Sequence, residues 1–244
     1  AVKGRNSIIV APHPRAKLTN KKICDLMRAA LKKMGAPEDL VIGIETPSLE
    51  TTNELMRQCD LVLATGGGAM VHAAYSSGSP ALGVGVGNAV ITVDDTADLD
   101  AAAEKIRLSK TLDLAASCSS DNSVVLLDGI YEPMLEKLKA QGGYLCNEEE
   151  KAALRNTLWD EELHLNTAIV AQPPEKIAQM AGLSIPEETK FFIVPEDGWG
   201  PEHPFSGEKL SVIMALYRAR DIDHAIELTQ NIQPYQGQGH SCGI

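Results

Sequence analysis

Short, near-continuous apolar runs alternate with stretches of helical periodicity along most of this chain, and that alternation leaves few architectures open. The first run, SIIVA at 7–11, is β-branched and is followed at once by Pro12, His13, Pro14 and Arg15, so it reads as a buried strand that stops at a loop. A helix comes next. Thr19 or Asn20 is placed to cap it, Ile23, Leu26, Met27, Ala30, Leu31 and Met34 recur at i, i+3, i+4 spacing as its core face, and Gly35 with Pro37 ends it. Residues 40–44 read as a strand, 49–57 as a helix, 61–64 as a third strand and 69–76 as the helix after it. Further on, helices are expected at 98–111, 130–141, 147–159 and about 223–230, and strands at 123–127, 190–194 and 212–217. Strands this uniformly apolar are covered on both faces, which implies right-handed βαβ units: an α/β fold with a three-layer, Rossmann-like parallel sheet.

Residues 80–93 carry Gly83, Gly85 and Gly87 in an otherwise strand-like run, a composition that suits a bend between domains. The expected division is 1–87 and 88–244, both parts α/β. Composition narrows the functions. A formal net charge of -11 opposes broad attraction to nucleic acid, so an anionic ligand must be held locally. No apolar run is long enough to span a membrane and no basic leader precedes an apolar segment, so a cytoplasmic protein without a membrane partner is expected. The cysteines, Cys24, Cys59, Cys118, Cys146 and Cys242, are scattered and never in C-x-x-C spacing, which fits reduced thiols and no metal site. The chain starts at Ala1, reaches Ile8 and Ile9 almost at once and stops at Ile244 after GQGHSCG. It is therefore expected to be an internal piece of a longer protein.

Two stretches carry chemistry. Thr65, Gly66, Gly67 and Gly68 follow a strand and open a helix, where backbone N–H groups and the helix dipole can meet a phosphate. The pattern is neither G-x-G-x-x-G nor G-x-x-x-x-G-K-[ST], and a plain glycine turn accounts for it equally well. The second stretch, AASCSSDNSV at 115–124, sets Cys118 among small residues just ahead of an apolar run. On its residues alone Cys118 is either a structural thiol or a nucleophile, and no Lys or His stands close to it in sequence to activate it.

Taken in order, ATGGGAMVHAAYSSGSPALGVGVGNAVITVDDTADLDAA, AASCSSDNSVVLLDGIY, HPFSGEKLSVIMALY and GQGHSCGI resemble the aldehyde dehydrogenase superfamily, and within it the coenzyme A-acylating branch. The SCSSDN and GVGVGNAV segments look most like the sulfoacetaldehyde type. The resemblance implies a partial dinucleotide-binding domain over 1–87 and a partial catalytic domain over 88–244, with Cys118 as the nucleophile. It implies a small aldehyde, coenzyme A and NAD or NADP as reactants, and a homo-oligomeric full-length protein. Pro12, His13, Arg15, Thr65, Gly66, Gly67 and Gly83 fall in segments matching the family's nucleotide site, and Glu208 matches the carboxylate that accepts from the nicotinamide ribose; a surface glutamate is the other reading of Glu208. Arg15 suits an additional phosphate, the 2′-phosphate of NADP or the 3′-phosphate of coenzyme A. Gly83 also stands where hydrolytic members carry the glutamate that activates water, so the thioester on Cys118 is expected to wait for a thiol. The family's oxyanion-stabilising asparagine lies upstream of Ala1. A hydrolytic aldehyde dehydrogenase and a nucleotide-binding module without chemistry are the competing readings.

Overall fold

The computed structural model describes residues 1–237 and 240–244. It divides into two compact units, Ala1–Val84 and Gly85–Ile244. Unit 1 contains β1 (Ile8–Val10), α1 (Lys17–Lys33), β2 (Val41–Gly43), α2 (Leu49–Gln58), β3 (Val62–Thr65), α3 (Gly68–Tyr75) and β4 (Ala81–Val84). Every pairing is parallel, but the strands make two separate two-stranded sheets, β1 with β2 and β3 with β4. One edge of β1 and one of β3 therefore remain unpaired, and side chains from both strands line the same cavity.

Helix α1 departs from expectation in two ways. It begins at Lys17, because the 3-10 turn Pro14–Ala16 feeds directly into it, and neither Thr19 nor Asn20 caps it. Its expected core face is also largely open: Ile23, Leu26, Met27 and Met34 are 47–83% exposed, and Cys24 is the buried residue of the helix. The physical reason is the narrow two-stranded sheet beneath it. Contact is made where Gly43 brings the β2 backbone so close that a β-carbon there would lie 3.0 Å from Cys24 Sγ.

Unit 2 contains β5 (Val90–Val93), α4 (Leu99–Thr111), β6 (Ser123–Leu127), α5 (Tyr131–Ala140), β7 (Gly143–Leu145), α6 (Glu148–Leu158), α7 (Pro174–Ala181), β8 (Phe191–Pro195), β9 (Ile213–Ala219), α8 (Ile222–Ile232) and β10 (Cys242–Gly243). Its strands form one parallel six-stranded sheet in the order β10-β5-β6-β9-β8-β7. The central strands are buried on both faces: Val124, Val125 and Leu126 of β6, Phe191 to Val194 of β8 and Ile213 to Leu216 of β9 are all sealed from solvent. Each such apolar side chain contributes about 1.5–3 kcal/mol. Asp98 caps α4 through the N–H groups of Asp100 and Ala101, and Asn147 with Glu150 closes the capping box of α6.

Three elements have no counterpart in the sequence reading, and one of them, β10, is only two residues long. β7 is only three residues long and follows Gly142, whose φ of 94 makes the turn out of α5. α7 is opened by Pro174 at its first position after Pro173, a pair that reads as loop although proline is well suited to a first helical turn. No helix among the described residues is long and apolar enough to cross a membrane.

Candidate active site

In unit 1, Pro12, His13, Thr65, Gly66 and Gly67 line one cavity of ≈ 490 Å³, with Ile9, Leu55 and Met70 among its apolar walls. The loop after β1 supplies the first two residues and the carboxyl end of β3 the other three. Gly66 N–H donates to the Val84 carbonyl at 3.1 Å, and Met70 N–H donates to that of Gly67 at 2.9 Å, which opens α3. A β-carbon on Gly67 would meet nothing within 4 Å, and one on Gly66 would lie 3.3 Å from Met70 Cβ. Glycine here keeps space clear beside a helix N-terminus, where an anion is favoured.

Arg15 and Gly83 do not join this lining. Arg15 is exposed on the 3-10 turn, where its N–H donates to His13 Nδ1 at 3.2 Å. Gly83 is held by packing: a β-carbon there would stand 2.7 Å from Val71 Cγ1 and 2.9 Å from Tyr75 Cε2, and its N–H donates to Tyr75 Oη at 3.0 Å. His72 of α3 is exposed.

In unit 2 the loop from α4 to β6 carries Cys118. It begins with Asp113, Leu114 and Ala115 in consecutive left-handed conformations, φ 48, 54 and 56. Each such non-glycine residue costs on the order of 1 kcal/mol or more, so the surrounding core, in which Ala115 is buried, must impose the turn. A second tight turn then encloses the thiol. Ser120 N–H donates to the Ser117 carbonyl at 3.1 Å, the Ser117 and Ser119 hydroxyls lie 2.9 Å apart, and Cys118 between them is half-buried. Asp121 N–H donates to Ser109 Oγ at 3.1 Å, which ties the loop back to α4. Cys118 stands ahead of β6 and therefore at the amino edge of its sheet. The rule that places ligands beyond carboxyl ends locates Thr65 to Gly67 and does not locate the thiol.

Glu208 lies in the segment leading into β9. Gly87 N–H donates to its carboxylate, yet burial dominates and pushes its pKa up to about 7. Among the described residues its Oε1 is buried without a hydrogen-bond partner. An acceptor in that condition fits a hydroxyl donor such as a ribose. His240, from GHSCG, packs on Gly87, and its Nε2 is also buried without a partner among the described residues.

The sequence reading missed a set of buried polar groups in unit 2. Lys110 is fully buried, and desolvation lowers its pKa to about 7 against the opposing pull of Asp121 and Glu208. Its electrostatic partners, Asp121 at the end of the Cys118 loop and Glu208, are the charges that oppose this shift. The available signal was periodicity: Ala103, Ile106 and Lys110 fall on one buried stripe of α4. Asn88, Asn122 and Lys209 are also buried, and their side chains join three loops.

Elsewhere in unit 2, Glu196, Asp197 and His203 bring potential ligand atoms within 4.8 Å of one another. Glu196 is already engaged, its Oε1 by Lys151 Nζ at 2.5 Å and its Oε2 by His203 Nδ1 at 2.8 Å. The group is an ion-pair cluster with its buried carboxylate satisfied.

The aldehyde dehydrogenase family model matches residues 1–146. A sulfoacetaldehyde dehydrogenase from an Acholeplasma species is 43% identical over 247 residues, spanning 100% of this chain and 51% of its own length. The crystal structure of an acetylating aldehyde dehydrogenase from Geobacillus thermoglucosidasius superposes with a TM-score of 0.96 at 40% identity, over 100% of this chain and 54% of that one. A Rhodopseudomonas palustris propionaldehyde dehydrogenase with bound propionyl-CoA superposes with a TM-score of 0.86 at 29% identity, over 94% and 51%. The chain spans about half the length of these relatives.

Proposed function

Because the chain belongs to the aldehyde dehydrogenase family, we propose that its full-length parent oxidises a small aldehyde to an acyl-CoA, with Cys118 as the nucleophile and NAD or NADP as the oxidant. The observation that carries this reading is Cys118 itself, half-buried in the tight Ser117–Ser120 turn of the same unit that holds the buried Glu208 oxygen without a partner among the described residues. Unit 1 acts as the partial dinucleotide-binding domain and unit 2 as the partial catalytic domain.

The thiolate of Cys118 adds to the aldehyde carbon and forms a thiohemiacetal. When bound, the nicotinamide nucleotide supplies the hydride acceptor, and the carbon is left as a thioester on Cys118. Thr65, Gly66 and Gly67 would hold its phosphates by backbone N–H groups, with Pro12 and His13 across the cavity, and Glu208 would accept from its ribose. Coenzyme A then attacks the thioester as its thiolate, its thiol proton passes to solvent, acyl-CoA leaves and the Cys118 thiolate is restored. Arg15, outside the cavity lining, is assigned to a phosphate at the periphery of the nucleotide or of coenzyme A.

Thiolysis is favoured over hydrolysis by Gly83. It has no side chain to act as a base, and Val71 and Tyr75 fill the place where one would start. The coenzyme A-bound structural relative and the acetylating one support the same choice. The finer reading takes sulfoacetaldehyde as substrate; it rests on the SCSSDN segment and the 43% identical relative. The full-length protein is assigned as a homo-oligomer by family membership.

The test is reduction of NAD⁺ and NADP⁺ by the full-length protein with a panel of small aldehydes including sulfoacetaldehyde, with and without coenzyme A, beside Cys118→Ala. Activity dependent on both coenzyme A and Cys118 is expected. Equal turnover without coenzyme A, with a free acid as product, would assign the hydrolytic reaction instead. Turnover that survives Cys118→Ala would remove the nucleophile from the scheme.

A further inference from the structure

We propose that Asn122 and Lys209 form a positioning clamp that sets the Cys118 loop against the Glu208 carboxylate, a proposal that rests on the function proposed above. Asn122 ends the loop that carries the thiol and leads into β6, and Lys209 directly follows Glu208 on the way to β9. The strands below are fixed to each other, with Ser123 opposite Ala215 in register. The loops above them are joined by side chains.

Asn122 Nδ2 donates to the Gly207 carbonyl at 2.5 Å and to Asn88 Oδ1 at 2.7 Å. Asn88 Nδ2 in turn donates to the carbonyls of Ser206 at 2.6 Å and Ile232 at 2.8 Å. Lys209 Nζ donates to the carbonyls of Phe205 at 2.5 Å, Gly207 at 2.9 Å and Asn122 at 3.4 Å. The peptide groups of Ser206 and Gly207, immediately before Glu208, are thus held from both sides, and Gly87 N–H holds the carboxylate itself. Bonds from the thiol loop, from the Gly87–Asn88 segment and from the Glu208 segment meet at one point in the core.

A requirement for stability alone would not select this chemistry. Lys209 is fully buried, its hydrogen-bond partners among the described residues are carbonyls, and burial holds its pKa well below the usual lysine value, a desolvation cost that a methionine of similar length would avoid. What the side-chain nitrogen adds is hydrogen bonding to the carbonyls of Phe205, Gly207 and Asn122 from one buried point, which bridges the end of the thiol loop and the Glu208 segment. Transfer of hydride from a carbon held on Cys118 to a nicotinamide held by Glu208 is sensitive to that spacing: a displacement of about 1 Å can cost about 100-fold.

The experiment compares full-length wild type with Lys209→Met and Asn122→Ser in three measurements. Acylation of Cys118 by acyl-CoA without nucleotide, followed by intact mass, reads the thiol alone. Fluorescence titration with NADH or NADPH reads the nucleotide site, and single-turnover nicotinamide reduction reads the spacing between the two. Both variants are expected to keep acylation near the wild-type rate, to bind nucleotide about tenfold more weakly and to reduce nicotinamide about 100-fold more slowly. Unchanged binding and reduction, or a uniform fall in all three measurements, would overturn the clamp. If Lys209→Met does not fold, Asn122→Ser, which keeps the backbone bonds of Asn122 to Ala89 and Ala215, decides alone. A wild-type protein whose Cys118 accepts no acyl group overturns the proposed function, and this is seen before any variant is compared.

Discussion

His240 packs so closely on Gly87 that a β-carbon built on the glycine would stand 1.7 Å from its Cδ2 and 2.5 Å from its Cγ. The same Gly87 donates its N–H to Glu208, so one residue without a side chain serves contacts on two sides. Gly87→Ala is expected to push His240 away, to loosen β10 from β5 where Cys242 pairs with Val90, and to lower stability by about 2 kcal/mol. Chemical denaturation measures the loss, and a variant as stable as wild type would show that His240 can move aside freely.

Gly67 gives the opposite case. Its φ of -64 suits any residue and nothing lies within 4 Å of where a β-carbon would point. Gly67→Ala should therefore leave stability within about 0.5 kcal/mol of wild type. Since the added methyl enters the space beside the N-terminus of α3, nucleotide affinity should fall about tenfold, read as Kd by titration with reduced nucleotide. Loss of stability with affinity intact would mark the glycine as structural.

Gly83 tests the division between thiolysis and hydrolysis. A glutamate there would begin 2.7 Å from Val71 Cγ1 and 2.9 Å from Tyr75 Cε2. Gly83→Glu is expected to destabilise by about 1–3 kcal/mol through overpacking and to release no free acid. Product analysis by chromatography without coenzyme A checks this; appearance of the acid would show that α3 can yield and that the missing carboxylate alone blocks water.

How far the sequence reached depended on which physical signal each feature left. The parallel sheet of unit 2 was legible because VVLL, FFIV and IMAL are the uninterrupted apolar runs that burial on both faces demands. The stripe of α1 was legible as periodicity, yet Ile23 and Leu26 are exposed, because periodicity reports that a face is apolar and not what covers it. Thr65, Gly66 and Gly67 were found by chain chemistry at a strand end, and the cavity they share with Pro12 and His13 lies between two strand pairs that are not joined in one sheet, a juxtaposition that no local pattern encodes. Cys118 drew its candidacy from family resemblance. The left-handed turn at Asp113, Leu114 and Ala115 was not legible, since only aspartate of the three is common at positive φ and a run of three in succession has no local signal. Asn88, Asn122 and Lys209 read as ordinary surface residues until the fold buries them together.

The last prediction concerns Lys110, whose amine shares its buried surroundings with Asp121, Glu208 and Lys209. Burial lowers its pKa from 10.5 to about 7, so between those values the unfolded chain binds more protons than the folded one. Stability must then rise as pH climbs from about 7 toward 10. Glu208 acts in the other direction: raised by burial from 4.5 to about 7, it binds more protons when folded, and stability falls as pH rises through that interval. Together the two groups place a minimum near neutrality. Lys110→Met removes its own share of the upper limb and leaves that of Lys209, whose pKa burial also lowers, so the gain in stability from pH 7 to pH 9 should be smaller than in wild type by about 2 kcal/mol, close to the limit set by one proton. Denaturant titrations at both pH values measure the difference. Parallel profiles would show that the amine remains charged in the folded state and is compensated by the carboxylates around it.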